Sequence, residues 1–171
     1  MENILSKEPV KRVQKKLLEY SKELKAIVLN TSARTAQQAA DSLNTEVGSI
    51  VKSLLFKTED GFILCLVSGD KKCSLNKLKK IKNQKDISMA NAEQVKEVTG
   101  FTIGGVSPVG HLQKIEIIID DKLNRYNYVY AAAGHPNCIF KIDFTNLQKI
   151  TNGYTEEITE WDNPKLLIIF Y

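Results

Sequence analysis

Two apolar runs, residues 50–57 and 62–68, stand on either side of Thr58-Glu59-Asp60-Gly61, and no other feature restricts the fold as tightly. Both runs are rich in β-branched and large apolar residues, and Asp-Gly is the dipeptide that closes tight hairpins, because glycine takes the backbone angles such a turn demands. The chain is therefore committed to an antiparallel ribbon at its centre. Alternation along the first run puts Lys52, Leu54 and Phe56 on one face and Val51, Ser53, Leu55 and Lys57 on the other. If the first face is inward, the Lys52 ammonium enters a half-buried place, which is costly without an anion or ligand beside it. The alternative is a lysine that snorkels to the rim of the strand.

Around this ribbon the periodicity changes from two to 3.6. Val10, Val13, Leu17 and Leu24, with Tyr20, form a helical stripe, with Ser6 as N-cap and Pro9 in the first turn. Residues 26–29 read as a short strand. A second helix carries Ala36, Ala39, Ala40 and Leu43 on one face, opened by Thr35 and Gln38 at capping-box spacing. Residues 74–81 and 91–99 read as helices, the latter with Asn91 and Gln94 at its start and Gly100 at its end. Strands are expected over 114–120, 128–133 and 138–143, then a helix over 144–151. Without a regular βαβ repeat, this order predicts an α+β chain with a largely antiparallel, strongly curved sheet and flanking helices, read as one domain over 1–171. The apolar tail 166–171 is expected to pack within the chain, the alternative being an oligomer contact.

Composition excludes several function classes. The chain has 171 residues, a net charge of +4 and a pI near 8.8, mild enough to permit an RNA partner without requiring one. The lysines at 71–72 and 77–85 form either a phosphate-attracting patch or a solvated helix face. Three cysteines, Cys65, Cys73 and Cys138, show no CxxC spacing, and only two histidines accompany them, so no Cys/His metal site is expected. Residues 1–7 hold no apolar run suited to a signal peptide and no stretch is long enough to cross a bilayer, which predicts a cytoplasmic protein and no membrane partner.

Chemistry concentrates in the segment from Thr99 to His111, which holds four of the nine glycines. Gly104 and Gly105 allow a ligand close to backbone N–H groups, and Pro108 stiffens the exit. Such a loop suits a polar group held by main-chain donors, a developing oxyanion included. The spacing matches neither a dinucleotide fingerprint nor a P-loop. Ala131-Ala132-Ala133-Gly134-His135 similarly combines small residues with an imidazole, and His111 directly follows the glycine-proline loop.

Taken in order, the segments 39–43, 50–56 and 66–70, Thr99-Gly100-Phe101, Gly104-Gly105-Val106-Ser107-Pro108-Val109-Gly110 and the Ala132-Ala133-Gly134 turn resemble the YbaK family. That family is related to the editing domain inserted in bacterial prolyl-tRNA synthetases, and the resemblance covers about residues 26–153. It implies a mixed α/β fold around a curved, barrel-like sheet and an aminoacyl-tRNA deacylase acting in trans, typically on tRNA for proline, with no metal or organic cofactor. It implies that Lys52 is the functional lysine, directed at the terminal nucleotide or the ester oxygens. It further implies that Gly104, Gly105, Val106, Ser107 and Pro108 bind the aminoacyl end and that Gly134 forms the opposite wall; Gly110, His111 and His135, which adjoin these segments, are counted as substrate-binding candidates with them. The partner implied is the single-stranded CCA end of aminoacyl-tRNA, whose terminal ribose hydroxyl helps to activate water. Some relatives carry a carboxylate just beyond the glycine turn, whereas 134–140 holds none here and Ile139 falls about where it would lie; relatives acting on cysteinyl-tRNA also carry a tyrosine in the early strand region, where this chain has Asn30, Thr31 and Ser32, so the cysteine subtype is disfavoured. Two other readings stand beside the hydrolase: a non-catalytic module binding RNA or an aminoacyl-like ligand, and a thiol hydrolase using Cys138 with His135 or His111.

Overall fold

The structure is a computed structural model that describes residues 3–31 and 33–161. Helix α1 (Glu8–Tyr20) buries Val10, Val13 and Leu17 completely, each worth roughly 1.5–3 kcal/mol against leaving it in water. Its N-cap is Lys7, not Ser6. Residues 4–6 wind into a short 3-10 turn that draws the Ser6 hydroxyl to the Asn3 carbonyl at 2.7 Å. Leu24 lies past the helix end yet still packs on the core.

After the short strand β1 (Ile27–Val28), helix α2 (Ala36–Leu43) starts at Thr35, whose hydroxyl accepts from the Gln38 amide at 3.1 Å. The central ribbon forms as expected. Strands β2 (Val51–Lys57) and β3 (Phe62–Ser68) pair antiparallel in continuous register, Leu54 opposite Cys65, and the turn is closed by Thr58 N–H to the Gly61 carbonyl at 2.8 Å. There follow β4 (Lys71–Cys73), α3 (Leu75–Lys82), β5 (Ser88–Met89) and α4 (Ala92–Thr99). Helix α4 has a complete capping box between Asn91 and Gln94, and Gly100 takes a φ of +78° at its end. The remainder comprises β6 (Glu116–Asp120), β7 (Val129–His135), β8 (Cys138–Ile142), α5 (Phe144–Thr151), β9 (Tyr154–Glu156) and β10 (Thr159–Trp161).

The fold is mixed α/β with five helices among the described residues, but the strands do not close a barrel. They form three sheets, ordered β1-β8-β7, β10-β4 and β5-β2-β3-β6-β9. Antiparallel pairs dominate, as expected. The exceptions are β6 and β9, which run parallel to β3 and to one another. The helix-bearing segments that precede them return the chain to the same end of the sheet, which fixes parallel pairing. Strand β6 therefore joins the central ribbon and does not pair with β7. The first and third sheets meet through one isolated parallel bridge, Ile50 to Tyr130.

Two cores lie on the two faces of the ribbon. Val51 and Leu55 join the large cluster with α1, Val106 and Ala131, whereas Leu54 and Phe56 join a second with Cys65, Cys73 and Leu78. A third, smaller cluster packs Ala36, Ala39 and Ala40 on Ile50 and Ile139. No helix among the described residues is long and apolar enough to cross a membrane. The tail 166–171 lies outside the described residues.

Candidate functional site

The third cluster frames a cleft. One wall is α2 with the residues leading into it, Ala33, Thr35, Ala36 and Ala39. The floor is Ile50 and Val51 at the start of β2, and the far wall is Tyr130, Ala131 and Ala132 of β7 with Ile139 of β8. Gly104 and Pro136 close the rim. The cavity measures about 40 Å³ and its walls are mostly methyl-sized, so it admits a small apolar group and rejects a large one. Its polar equipment is slight. Among the described residues none bonds the Tyr130 hydroxyl, and the lining holds neither carboxylate nor imidazole.

Glycine chemistry builds the rim. Gly104 takes a φ of +93°, a conformation costly for any residue with a Cβ. A Cβ on Gly105 would stand 2.9 Å from the His135 nitrogen, so the loop and the β7–β8 turn touch backbone to backbone. The register of β7 against β8 slips between Ala132 and His135, and Gly134 sits in that bulge at a φ of +92°. On its other side a Cβ on Gly134 would lie 2.8 Å from the Pro9 carbonyl, so α1 presses directly on the turn.

Helix α1 also locks the loop. Arg12 donates through Nε to the Gly110 carbonyl at 2.7 Å and through Nη2 to the Gly100 carbonyl at 3.0 Å, with its guanidinium 4.7 Å from the centre of the Phe101 ring. One fork thereby ties together both ends of the segment that carries Gly104. Inside that segment, His111 Nε2–H donates to the Ser107 carbonyl at 2.6 Å, and the imidazole stands edge-on to Phe101. Burial holds the His111 pKa below its ordinary value, against the bond to Ser107, which raises it.

Residues 30–150 match the aminoacyl-tRNA editing domain family. The chain belongs to this family. Over 93 residues, 54% of its length, it is 41% identical to the proline–tRNA ligase of Thermosipho africanus, and it spans only 16% of that enzyme. It is 31% identical to the Bacillus subtilis protein YwhH over 134 residues, covering 78% of this chain and 85% of that one. A crystal structure of a candidate trans-editing enzyme for prolyl tRNA synthetase superposes with a TM-score of 0.85 at 37% identity, covering 90% of this chain and 98% of the other.

Within this editing domain the expected site residues divide. Gly104 lines the cleft, while Gly105, Gly134 and His135 join at its rim. The Gly105 amide is not available to a ligand, because it donates to the Thr102 carbonyl at 3.0 Å. Val106 and Ser107 are buried in the protein beneath the loop, and Pro108, Gly110 and His111 face a separate cavity of about 550 Å³ between α1 and α5. His135 Nδ1 accepts the Asn137 amide at 3.0 Å, within its own turn. Lys52 shares its face of β2 with Leu54 and Phe56, on the side of the second cluster, and although Ile50 two residues earlier still floors the cleft, the Lys52 side chain turns toward β4. There it is buried and its ammonium donates to the Lys71 carbonyl. It is absent from the lining of the cleft. Cys138 is buried, which pushes its thiol pKa up to about 11, so the thiolate needed by a thiol hydrolase is scarce at neutral pH.

As site residues, Arg12, Tyr130, Pro136 and Ser53 were not singled out from sequence, and Thr35 was read only as a helix cap. The Ser53 hydroxyl is buried without a hydrogen-bond partner among the described residues, on the same face of β2 as Val51. A lone serine among apolar alternation was the available signal. Among the described residues no group of three or more His, Cys, Asp or Glu side chains could hold a metal ion.

Proposed function

We propose that this editing domain is a deacylase that hydrolyses the ester of mischarged tRNA, tRNA for proline in particular, and that the amino acid it removes has a small apolar side chain. The observation that carries the reading is the narrow alanine-walled cleft with Gly104 at its mouth. The amino-acid side chain enters between α2 and β7, which leaves the ester carbonyl at the rim. There the Gly104 amide, which has no acceptor among the described residues, is the donor for the developing oxyanion. Water attacks the carbonyl carbon and a C–O bond forms. The bond to the ribose oxygen breaks, and that oxygen takes the proton, yielding free amino acid and tRNA. Because the described lining of the cleft offers no carboxylate, imidazole or amine, the terminal ribose hydroxyl assists the water and the protein contributes position and electrostatics. An aminoacyl ester is activated enough for that to suffice.

Lys52 enters this scheme in one of two ways. Either its ammonium exchanges the Lys71 carbonyl for the terminal nucleotide, or it braces β2 against β4 beneath the floor of the cleft.

The similarity to proline–tRNA ligases and to the candidate trans-editing enzyme supports tRNA for proline and action in trans. The test is a panel of tRNA for proline charged with alanine, cysteine, leucine or proline, assayed for release of the amino acid. Alanine is expected to be released fastest and leucine at the spontaneous rate. Release of none, with tight binding retained, would favour the non-catalytic module, which a cleft lining without carboxylate or imidazole among the described residues also suits.

A further inference from the structure

The lysine run at 77–85 does not act as a unit. Lys77 is bound to Glu157 at 3.1 Å and to the Thr159 carbonyl at 2.7 Å, and Lys82 to Glu116 at 2.6 Å, so these two are neutralised within the fold. Lys79 and Lys85 instead meet Lys57, from the end of β2, around an open groove of about 290 Å³. No carboxylate among the described residues lies within ion-pairing distance of any of the three, though Asp86 also borders the groove. These three ammonium groups stand against two carboxylates, Asp86 and Glu59, the latter accepting the Lys85 and Asp86 amides at 3.0 and 3.3 Å, which leaves one surplus positive charge among the five groups, and Ser88 adds a hydroxyl at the edge. Three separate elements deliver these lysines: the end of β2, α3, and the loop before β5. A helix that merely keeps its charges in water would need no such convergence.

We propose that this groove binds the sugar-phosphate backbone of the tRNA whose 3′ end occupies the cleft, a reading that rests on the proposed substrate. Lys57 and Val51 stand six residues apart on one strand, about 20 Å at roughly 3.3 Å per residue. A single-stranded CCA end seated in the cleft puts the phosphates of the acceptor stem at that range. Phosphodiesters spread along a groove are matched by separate point charges such as lysines, and each contact releases counterions without reading sequence.

The experiment compares the wild-type chain, the triple variant Lys57→Gln, Lys79→Gln, Lys85→Gln, and a control in which Lys11→Gln and Lys15→Gln remove charge from the outer face of α1. Binding of uncharged tRNA is followed by fluorescence anisotropy across a salt series, and deacylation is measured on full-length mischarged tRNA and on an aminoacylated CCA trinucleotide. The triple variant is expected to bind tRNA at least about ten-fold more weakly, with a salt dependence shallower by about one logarithmic unit per lysine engaged. Its kcat/KM on the trinucleotide is expected to be unchanged. Equal losses in the triple variant and the control would overturn the proposal, as would an unaltered salt slope or a wild-type chain that binds no tRNA. Wild-type binding with the expected slope but no deacylation would sink the hydrolase reading and leave the groove standing. Deacylation that is indifferent to the three lysines would do the reverse.

Discussion

Replacing Arg12 by alanine tests whether the N-terminal helix holds the candidate site together. Its side chain is about one-fifth exposed. The substitution removes two charged hydrogen bonds to carbonyls, at 2.7 Å to Gly110 and 3.0 Å to Gly100, and the stacking on Phe101. With water free to reach part of the vacated space, each hydrogen bond is worth about 1 kcal/mol and the ring contact about 0.5 kcal/mol. The pair with Glu8, whose carboxylate is mostly exposed, adds only a few tenths. The sum is about 2–3 kcal/mol, which for a chain of this size lowers the thermal midpoint by roughly 5–10 °C. Thermal and urea unfolding measure it. Release of amino acid from mischarged tRNA, assayed well below the midpoint, reports whether Gly104 has lost its position. Arg12→Lys is expected to recover less than half of the stability, since an ammonium cannot fork between two carbonyls. A shift under 2 °C with full activity, or complete rescue by lysine, would refute the argument.

Three further expectations follow from single groups. Lys52→Ala should cost about 1–3 kcal/mol in urea unfolding, because it strands the buried Lys71 carbonyl; unchanged stability with deacylation abolished would instead assign the ammonium to the substrate. Ser53→Ala should leave stability equal or raise it by up to about 1 kcal/mol, since the hydroxyl it deletes is desolvated and unbonded, and a clear loss of stability would show a partner that the geometry lacks. The lowered pKa of His111 means that the unfolded chain binds the proton more readily, so its contribution to stability is present above about pH 6.5 and is lost as the pH falls from there; His111→Phe should flatten that part of the stability profile measured by urea titration, and an unaltered slope would count against it.

What could be read from sequence was local. The Asp60-Gly61 turn and the alternation of β2 and β3 specify their own pairing, and Asn91 with Gln94 specifies the start of α4, because each signal lies within a few residues of what it controls. The parallel partnership of β3, β6 and β9 carries no such signal, and neither does the two-residue strand β5; β1 was legible as a strand within 26–29, but its pairing with β8, far along the chain, was not. The same limit applied at the site. Alternation correctly separated Lys52 from Val51, but which face bordered the cleft depended on where α2 and β7 were placed. The glycines of the 100–110 segment were legible as special backbone. Arg12, which fastens that segment from 98 residues away at Gly110, was not.

The contact of Pro9 against Gly134 bears on where this unit can be cut. A fragment started at residue 30, the first position of the family match, would strip the cover from a glycine whose bare face exists to receive it, and would release both anchored carbonyls of the adjoining segment. The excisable piece is thus longer than the stretch that defines kinship. Anyone transplanting the candidate hollow into another scaffold must bring the leading helix along or build a substitute for it.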